Sequence, residues 1–205
     1  MLIEQPPRFY RALYSRAIFR MNPREKAVYL TFDDGPIPEV TPWVLDVLDT
    51  YGIKATFFMV GHNVDKHPRV YQEVMARGHR VGNHTYNHIQ GLYCSRATYL
   101  KNAKKAADIL QTDLFRPPHG HMRHSQYKVL RKHYRIIMWD LVTRDYSKRI
   151  TPEQVLKNVQ RYVRPGSIIT FHDSLKSWNN GNLRYALPRA IEYLQAEGYV
   201  FKVFD

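Results

Sequence analysis

The chain has 205 residues, of which 44% are hydrophobic, a composition typical of a folded globular domain rather than a disordered chain. It carries 31 Lys and Arg residues against 18 Asp and Glu residues, a net charge of +13. Such a surface attracts anions: phosphorylated or lipid-linked substrates, an anionic membrane, or nucleic acid. A basic exterior without any anionic partner explains the charge equally well. The single cysteine excludes an internal disulfide framework.

Residues 1–25 are predicted to form a basic amphipathic segment packed on a domain formed by residues 26–205. Apolar side chains recur there at helical spacing, namely Tyr10, Leu13, Tyr14, Ala17, Ile18 and Met21, with arginines elsewhere around the helix. The alternative is that this helix lies on a membrane interface as a peripheral contact. The sequence shows no secretory signal and no membrane-spanning run, so we expect a cytoplasmic protein, at the membrane face if this segment binds lipid.

Strand-like and helix-like stretches alternate along the rest of the chain. The predicted strands are VYLTFD, KATFFMVG, HRVGNH, DLFRPP, YRIIMWDL, GSIITFHD and YVFKVF. Helices are predicted to begin near Thr41, Pro68, Ser95, Gln126, Thr151 and Leu187, with N-caps at the serine and both threonines. About seven strands in this alternation predict a parallel α/β domain, a distorted (β/α) barrel. No Gly-rich phosphate loop follows a strand, which excludes P-loop and dinucleotide-binding classes.

Polar residues collect where the predicted strands end, and barrels place their chemistry at those ends. The set comprises Asp33, Asp34, His62, Asn63, His84, Arg116, Asp140, Asp145, His172 and Asp173. Scattered surface charge would not be expected to collect in this way. The sequence therefore predicts an active site at the carboxyl ends of the strands.

Alternation along the first strand assigns its side chains to two faces. Val28, Leu30 and Phe32 are predicted to pack against helices, and residues 29, 31 and 33 to face the barrel interior. Asp34 would point away if the strand continued, but the Gly-Pro pair that follows it ends the strand. Both carboxylates can then serve one site in different roles.

His84 and His88 are spaced i,i+4, which puts two imidazoles on one face of a helical turn and is common at metal sites. By itself a surface histidine pair is the more frequent explanation. A carboxylate from another strand end would complete a set of two His and one Asp, which leaves positions for water and substrate. His119, His121 and His124 could form a second metal site, although loop or substrate-groove histidines are favoured.

Several short motifs occur in order along the chain. They are TFDDG (Thr31–Gly35), HTYNH (His84–His88), RPPHG (Arg116–Gly120), DLVTRDY (Asp140–Tyr146) and ITFHD (Ile169–Asp173). Together they resemble the polysaccharide deacetylases of carbohydrate esterase family 4, the chitooligosaccharide-deacetylase or NodB-like homology domain, over roughly residues 26–205. The resemblance implies a distorted (β/α) barrel and metal-dependent removal of N- or O-acetyl groups from sugars.

The resemblance also implies roles for individual residues. Asp33 corresponds to the general base, and Arg116 would orient it. Asp34, His84 and His88 correspond to the ligands of one divalent metal. Mixed His and Asp ligation favours Zn²⁺, while Co²⁺, Ni²⁺, Mn²⁺ and Fe²⁺ stay open.

His172 corresponds to the general acid, and Asp145 would tune it. His119 stands at the substrate groove, where tyrosine is common in the family, and a backbone N–H near it would stabilise the oxyanion. Tyr146 replaces a usual tryptophan and Thr170 a usual leucine, and Val142 stands where the family has an acid. These departures are expected to make the acetyl-binding groove more polar and leave the acyl preference open.

The predicted function is metal-dependent hydrolysis of a linear amide, the acetyl group of N-acetylhexosamine units in a glycan, peptidoglycan or an anionic or lipid-linked precursor. The alternatives are an amidase of the same superfamily acting on a non-sugar amide and an inactive glycan-binding domain. A third alternative is nucleic-acid binding through the positive charge, which no motif supports. The sequence makes no prediction of oligomeric state.

Overall fold

Parallel strands and intervening helices alternate through residues 4–205, the part of the chain that the computed structural model describes. The strands are β1 (Ala27–Asp33), β2 (Thr56–Met59), β3 (Arg80–Asn83), β4 (Leu114–Phe115), β5 (Arg135–Ile136), β6 (Leu141–Val142), β7 (Ser167–His172) and β8 (Val200–Phe201). The α-helices are α1 (Arg8–Leu13), α2 (Thr41–Thr50), α3 (Gly61–Lys66), α4 (Pro68–Ala76), α5 (Arg96–Leu110), α6 (His124–Leu130), α7 (Pro152–Tyr162), α8 (Leu175–Asn179) and α9 (Asn182–Ala196).

The strands form one parallel sheet in the order β5-β4-β3-β2-β1-β7-β6, and β8 pairs with the first residues of β1. Both edges of this order belong to one run of chain, residues 135–142. Its first half pairs with β4 and its second half with β7. The sheet therefore curls back toward itself as a half-barrel, which confirms the predicted distorted (β/α) barrel.

The run YRIIMWDL does not form the single buried strand that its sequence predicts. The middle of the run is not part of a β-strand, and several of its backbone groups form hydrogen bonds outside the sheet. Arg116 donates from Nε to the Ile137 carbonyl at 3.2 Å and from Nη2 to the Met138 carbonyl at 2.9 Å. The Met138 N–H donates to the Ile18 carbonyl at 2.8 Å. Because buried backbone groups must be paired, a side chain here replaces a neighbouring strand.

Helix starts follow the predicted caps in two cases out of the three. The Ser95 and Thr151 hydroxyls each accept a backbone N–H of the first turn, as predicted. Thr41 is not the N-cap of α2, because that position belongs to Val40. The Thr41 hydroxyl instead donates to Asp173 at 2.7 Å, so a contact distant in sequence outcompetes the local cap.

The two faces of β1 are as predicted. Val28, Leu30 and Phe32 are buried in a large apolar cluster shared with α2, α7 and α9. Tyr29 belongs to a separate cluster inside the barrel with Phe58 and residues of β4 and β7. The interior is therefore apolar toward the start of β1 and becomes polar toward its end, where the site lies.

The N-terminal helix is shorter than its periodicity predicts. It ends at Leu13, which is 57% exposed, whereas Tyr10 and Tyr14 are buried against the domain. Beyond it, Ile18 bridges to Ile137 beside β5. Residues 1–3 of the predicted segment lie outside the described residues, and the boundary at residue 25 stays a prediction. Within residues 4–205, every helix is too short or too polar to cross a bilayer.

Candidate active site

A cavity of about 210 Å³ opens at the carboxyl ends of the strands. Its lining residues are Asp33, Asp34, His84, His88, His119, Gly120, Trp139, Val142, Tyr146, Thr170, His172 and Lys176. All the residues to which the family resemblance assigned a role belong to this lining except Arg116 and Asp145, which are buried. The lining does not include His62, Asn63, Asp140 or Asp173 of the strand-end set, and Asp140 instead binds Arg11 and Arg164. The structure thus brings together residues from motifs spread over most of the chain.

Strained backbone is concentrated around this cavity. Six non-glycine residues between 4 and 205 have positive φ, and only Gln111, at the C-cap of α5, is remote. The others are Asp34 (φ 85°), Thr85 (64°), His88 (54°), His119 (58°) and Arg144 (64°). Conformations of this kind cost on the order of 1 kcal/mol or more each and persist where the surrounding structure enforces them. Their clustering supports the choice of this cavity as the candidate functional site.

Asp34, His84 and His88 form a cluster able to hold a metal ion. One ligand atom from each lies within 4.8 Å of the others. The Asp34 Oδ1 atom is 3.1 Å from His88 Nε2 and 3.7 Å from His84 Nε2. Within the described residues no other such cluster occurs, so the alternative second site among His119, His121 and His124 is not formed.

His84 is oriented for ligation by a contact behind it. Its Nδ1 atom lies 2.8 Å from the Arg116 carbonyl oxygen, which can only accept, so Nδ1 carries the proton. The lone pair on Nε2 then faces Asp34. Burial lowers the pKa of His84 to about 4, which keeps the imidazole neutral. A neutral, fixed imidazole is the form that binds metals.

Asp33 is held by a buried arginine. The Nη1 atom of Arg116 donates to Asp33 Oδ1 at 2.6 Å and also lies 2.8 Å from the Thr31 hydroxyl and 3.1 Å from that of Thr170. The guanidinium is only 1% exposed and stacks over the Phe58 ring at 4.1 Å. Burial lowers the pKa of Arg116, but arginine stays protonated in proteins, so Asp33 faces a fixed positive charge.

His172 is held from behind by a buried carboxylate. Its Nδ1 atom lies 2.8 Å from Asp145 Oδ1, and its backbone N–H donates to Asp145 Oδ2, also at 2.8 Å. Burial alone would lower the pKa of His172. The Asp145 carboxylate outweighs that effect and, helped by Asp34 and Asp33, raises the pKa to about 9. The imidazole is therefore protonated at neutral pH.

Sequence reasoning missed the residues that hold Asp145 in place. The side chains of Asn180 and Asn182 both donate to the Asp145 carbonyl, at 2.8 and 2.9 Å. The Tyr146 N–H donates to its Oδ1 atom at 3.1 Å. The run WNNGN was the available signal, because asparagines before a glycine favour turns. Nothing local indicates that this turn reaches residue 145.

Asp173 was noted at a strand end but given no role. It is buried, accepts the Gly35 N–H at 3.1 Å on Oδ1 and accepts the Thr41 hydroxyl on Oδ2. A Cβ atom on Gly35 would collide with this carboxylate, which explains why glycine follows Asp34. Burial, followed by the charge of Asp34, raises the pKa of Asp173 to about 8. The contact fixes the turn that carries the site's adjacent carboxylates.

The predicted groove residues surround these groups. The His119 ring lies 4.7 Å from the His88 ring, and burial lowers the pKa of His119 to about 4. The Tyr146 ring stands edge-on to His172 at 4.8 Å. The Thr170 hydroxyl is engaged with Thr31 and Arg116 rather than free in the groove.

Trp139 and Lys176 also line the cavity, although the sequence gave no reason to select them. Gly120 has φ 75°, and a Cβ atom there would collide with the Trp139 ring. The tryptophan therefore packs directly against the backbone of the RPPHG motif. It supplies an apolar wall beside the histidines.

The chain is similar to known proteins in sequence and in fold. The family model for polysaccharide deacetylase matches residues 20–135. A peptidoglycan-N-acetylglucosamine deacetylase of Bacillus cereus is 34% identical over 187 residues, which cover 87% of this chain and 67% of that protein. The crystal structure of the Bc1960 peptidoglycan N-acetylglucosamine deacetylase, in complex with 4-naphthalen-1-yl-N-oxidanyl-benzamide, superposes with a TM-score of 0.88 at 29% identity and covers 97% of this chain and 95% of that one.

The same fold also occurs without activity. Wild-type BA3943 of Bacillus anthracis, a CE4 family pseudoenzyme, has a TM-score of 0.78 at 28% identity and covers 90% of this chain and 66% of that one. Similarity of fold therefore does not by itself establish catalysis, and the side chains of the cavity have to carry that argument. From the matched family model, the identity and the superposition together, the chain belongs to the polysaccharide deacetylase family.

Proposed function

We propose that the protein is a metal-dependent hydrolase that removes acetyl groups from N-acetylglucosamine units of a glycan. One observation carries this proposal: three kinds of group line the same cavity. They are the Asp33 carboxylate held by Arg116, the His172 imidazole held by Asp145, and the cluster of metal-ligating side chains. An amide hydrolase needs a base, an acid and an electrophile, and each has a candidate here.

Asp34, His84 and His88 would hold the metal, for which Zn²⁺ fits two nitrogen donors and one oxygen donor, with Co²⁺, Ni²⁺, Mn²⁺ and Fe²⁺ as alternatives. When bound, such an ion polarises the acetyl carbonyl and lowers the pKa of a coordinated water. The fixed tautomer of His84 and its lowered pKa support this assignment.

Asp33 acts as the general base. As water adds to the acetyl carbon, the Asp33 carboxylate accepts its proton, while Arg116 holds that carboxylate at 2.6 Å and prevents it from turning away. Thr31 and Thr170 steady the guanidinium in turn. We also propose that a backbone N–H near His119 stabilises the oxyanion and that Tyr146 lies beside the acyl group.

His172 acts as the general acid. When the carbon–nitrogen bond breaks, the sugar nitrogen must take up a proton, because an amide anion is a poor leaving group. The Nδ1 atom of His172 is bound to Asp145, so the proton on Nε2 is the one available. With a pKa of about 9 the imidazole carries that proton at neutral pH. Acetate and the free amine are the products.

The direct test is acetate release from N-acetylglucosamine oligomers by protein stripped of metal and reconstituted with Zn²⁺. We expect release that depends on the added metal and is lost in Asp33→Asn. Undiminished release by Asp33→Asn would overturn the assigned base. Hydrolysis of simple ureides or other non-sugar amides, with no acetate released from any acetylated sugar, would favour the amidase alternative.

The proposal also includes the charge of the substrate and the place where the enzyme meets it. The net charge of +13 and the presence of Lys176 at the cavity support a glycan or precursor that carries negative charge. We propose in addition that this precursor is lipid-linked and is reached in the cytoplasm or at the membrane face. A panel of neutral, phosphorylated and lipid-linked acetamido sugars tests this choice. Deacetylation of the neutral oligomers alone would contradict it.

A further inference from the structure

The exposed apolar side chains are concentrated at one end of the barrel. Within residues 4–205, five of the seven large hydrophobic side chains that are exposed belong to segments beside the cavity, namely Phe9, Leu13, Leu92, Tyr93 and Leu175. The other two lie at the opposite end, because Met75 is near the end of α4, just before β3 begins, and Val200 pairs with the first residue of β1. Single exposed apolar residues are ordinary, but their concentration around one opening indicates an interaction surface.

Helix α1 has a buried face and an exposed face beside this opening. The Tyr10 hydroxyl donates to the carbonyl of Gly120, which lines the cavity, and the buried Tyr14 ring lies 5.4 Å from that of Tyr10. Phe9 and Leu13 have the same i,i+4 spacing, which places them together on another face of the helix. Phe9 is 72% exposed. The tyrosine pair therefore attaches α1 to the domain and leaves an apolar pair facing outward.

Two further segments carry the other exposed apolar residues beside the opening. A 3₁₀ turn, Gly91–Tyr93, follows the cavity residue His88 along the chain. Arg123 donates to the central carbonyl of this turn from Nε at 3.1 Å and from Nη2 at 2.9 Å, which fixes the turn to the domain. Leu175 begins α8, and the next residue, Lys176, lines the cavity. The apolar side chains thus come from three separate segments around one opening.

The same segments are basic and contain no carboxylate side chains. They belong to four stretches of the chain without Asp or Glu, namely residues 5–24, 87–107, 114–139 and 174–191. Arg8 and Arg16 flank the apolar pair of α1 in the sequence, and both are exposed. Arg123 and Lys176, beside the other two segments, are exposed as well. The complementary partner therefore carries negative charge and also offers an apolar environment.

We infer that this face docks on an anionic lipid bilayer, with Phe9 and Leu13 entering the interfacial region while Arg8 and Arg16 bind headgroup phosphates. A bilayer with anionic headgroups offers apolar depth and negative charge in one surface. A soluble anionic glycan would meet the arginines but would leave both apolar side chains of α1 in water. Docking in this way brings the cavity close to the lipid surface. It thereby supplies a route to a lipid-linked substrate, and in that part the inference rests on the proposed function.

The test is sedimentation of the full chain with vesicles, either of phosphatidylcholine alone or of equal parts phosphatidylcholine and phosphatidylglycerol. We expect binding to the anionic vesicles only, and weaker binding as salt is added. Phe9→Ser combined with Leu13→Ser should lower the affinity about tenfold or more, because both apolar side chains are lost from the interface. Met75→Ser combined with Val200→Ser removes exposed apolar side chains from the opposite end and is the matched control, which should bind like the wild type.

The two double variants should unfold at the temperature of the wild type and release acetate from soluble N-acetylglucosamine oligomers at its rate. No binding to anionic vesicles at low salt, or equal binding by the Phe9→Ser, Leu13→Ser variant and the wild type, would overturn the inference. A dimer in gel filtration that these substitutions abolish would overturn it too, because the face would then bind a second copy of the chain.

Vesicle binding needs no turnover, so the test separates this inference from the proposed function. Binding to anionic vesicles by a protein that releases no acetate supports the docking surface and contradicts the deacetylase. Acetate release without any vesicle binding supports the deacetylase and overturns the docking surface.

Discussion

The base arm (Asp33 and Arg116) and the acid arm (His172 and Asp145) of the proposed mechanism are built as opposites. On one side the buried Arg116 presents a positive charge to the Asp33 carboxylate, and on the other the buried Asp145 presents a negative charge to the His172 imidazole. In each arm the group nearer the cavity is held by a partner that solvent does not reach. The two arms differ in their other contacts. Arg116 also donates hydrogen bonds to the main-chain carbonyls of Ile137 and Met138. Asp145 instead accepts hydrogen bonds from the Tyr146 N–H and the Asn180 side-chain amide.

In the proposed mechanism this arrangement lets one cavity offer a base and an acid at the same pH. A buried partner of fixed sign acts on each group at short range, where solvent screening is weak. The base arm is additionally built into the fold. Damage to that arm should therefore cost both rate and stability, while damage to the acid arm should appear chiefly in the pH dependence.

Arg116→Lys is expected to have the largest combined effect. Lysine keeps the charge but cannot hold Asp33 and two carbonyl oxygens together, so the rate of acetate release should fall about a hundredfold. Loss of the buried contacts should lower the free energy of unfolding by about 3 kcal/mol, measured by denaturant titration. Arg189→Lys on the exposed face of α9 is the control and should change neither. Full activity in Arg116→Lys would contradict the role given to this residue.

Asp145→Asn removes the negative charge beside His172 and leaves the shape of the side chain almost unchanged. The pKa of His172 is about 9 because Asp145 opposes the effect of burial, so the variant should have a lower pKa. His172 then loses its proton at a lower pH than in the wild type. The fall of kcat/KM at alkaline pH should therefore begin at a lower pH. At neutral pH the rate should fall about tenfold or more.

The pH profile of kcat/KM checks this prediction. The exposed Asp108 on α5 supplies the control, because Asp108→Asn removes the same charge far from the cavity and should leave the profile unchanged. An unshifted profile in Asp145→Asn would show that Asp145 does not govern the protonation of His172.

Asp173→Asn acts between the two arms, because Asp173 follows His172 and holds the turn after Asp34. An amide offers one acceptor oxygen instead of two, so either the proton of the Thr41 hydroxyl or the Gly35 N–H loses its acceptor. We expect the free energy of unfolding to fall by about 1–2 kcal/mol and kcat to fall severalfold. Thermal unfolding and steady-state rates measure the two effects. Unchanged values of both would mean that the turn is held without this carboxylate.

Thr170→Leu should have the smallest effect on the base arm. Leucine removes one of the hydroxyls beside Arg116 Nη1, while Thr31 and Asp33 remain. The rate should fall only a few-fold, which corresponds to about 1 kcal/mol or less. Rates on acetyl and longer acyl substrates measure both this loss and any change in acyl preference. A loss as large as that of Arg116→Lys would contradict this ranking and show that Thr170 contributes as much as Arg116 to orienting the base.

The sequence correctly predicted features that depend on strand alternation and on the position of polar residues at strand ends. Alternation along β1 placed Asp33 inside the barrel, and the strand-end rule gathered His84, Arg116 and His172 at one cavity. Both follow from periodicity and from the shared carboxyl edge of parallel strands.

The remaining features depend on contacts between residues distant along the chain. The run of residues 135–142 reads as one strand because nothing local reveals that the Arg116 side chain will satisfy its carbonyls. Thr41 resembles a cap because Asp173 lies far away in the sequence. Periodicity likewise extends α1 beyond Leu13, where the structure ends it.

In the proposed mechanism the adjacent carboxylates at the end of β1 have different functions, Asp33 as base and Asp34 as metal ligand. The most direct test measures Zn²⁺ affinity and acetate release side by side for Asp33→Asn and Asp34→Asn. We predict that Asp33→Asn keeps metal affinity close to that of the wild type and loses acetate release about a hundredfold or more, whereas Asp34→Asn loses metal affinity as well. Equal loss of metal affinity in both variants, or activity retained in Asp33→Asn, would contradict this assignment of functions.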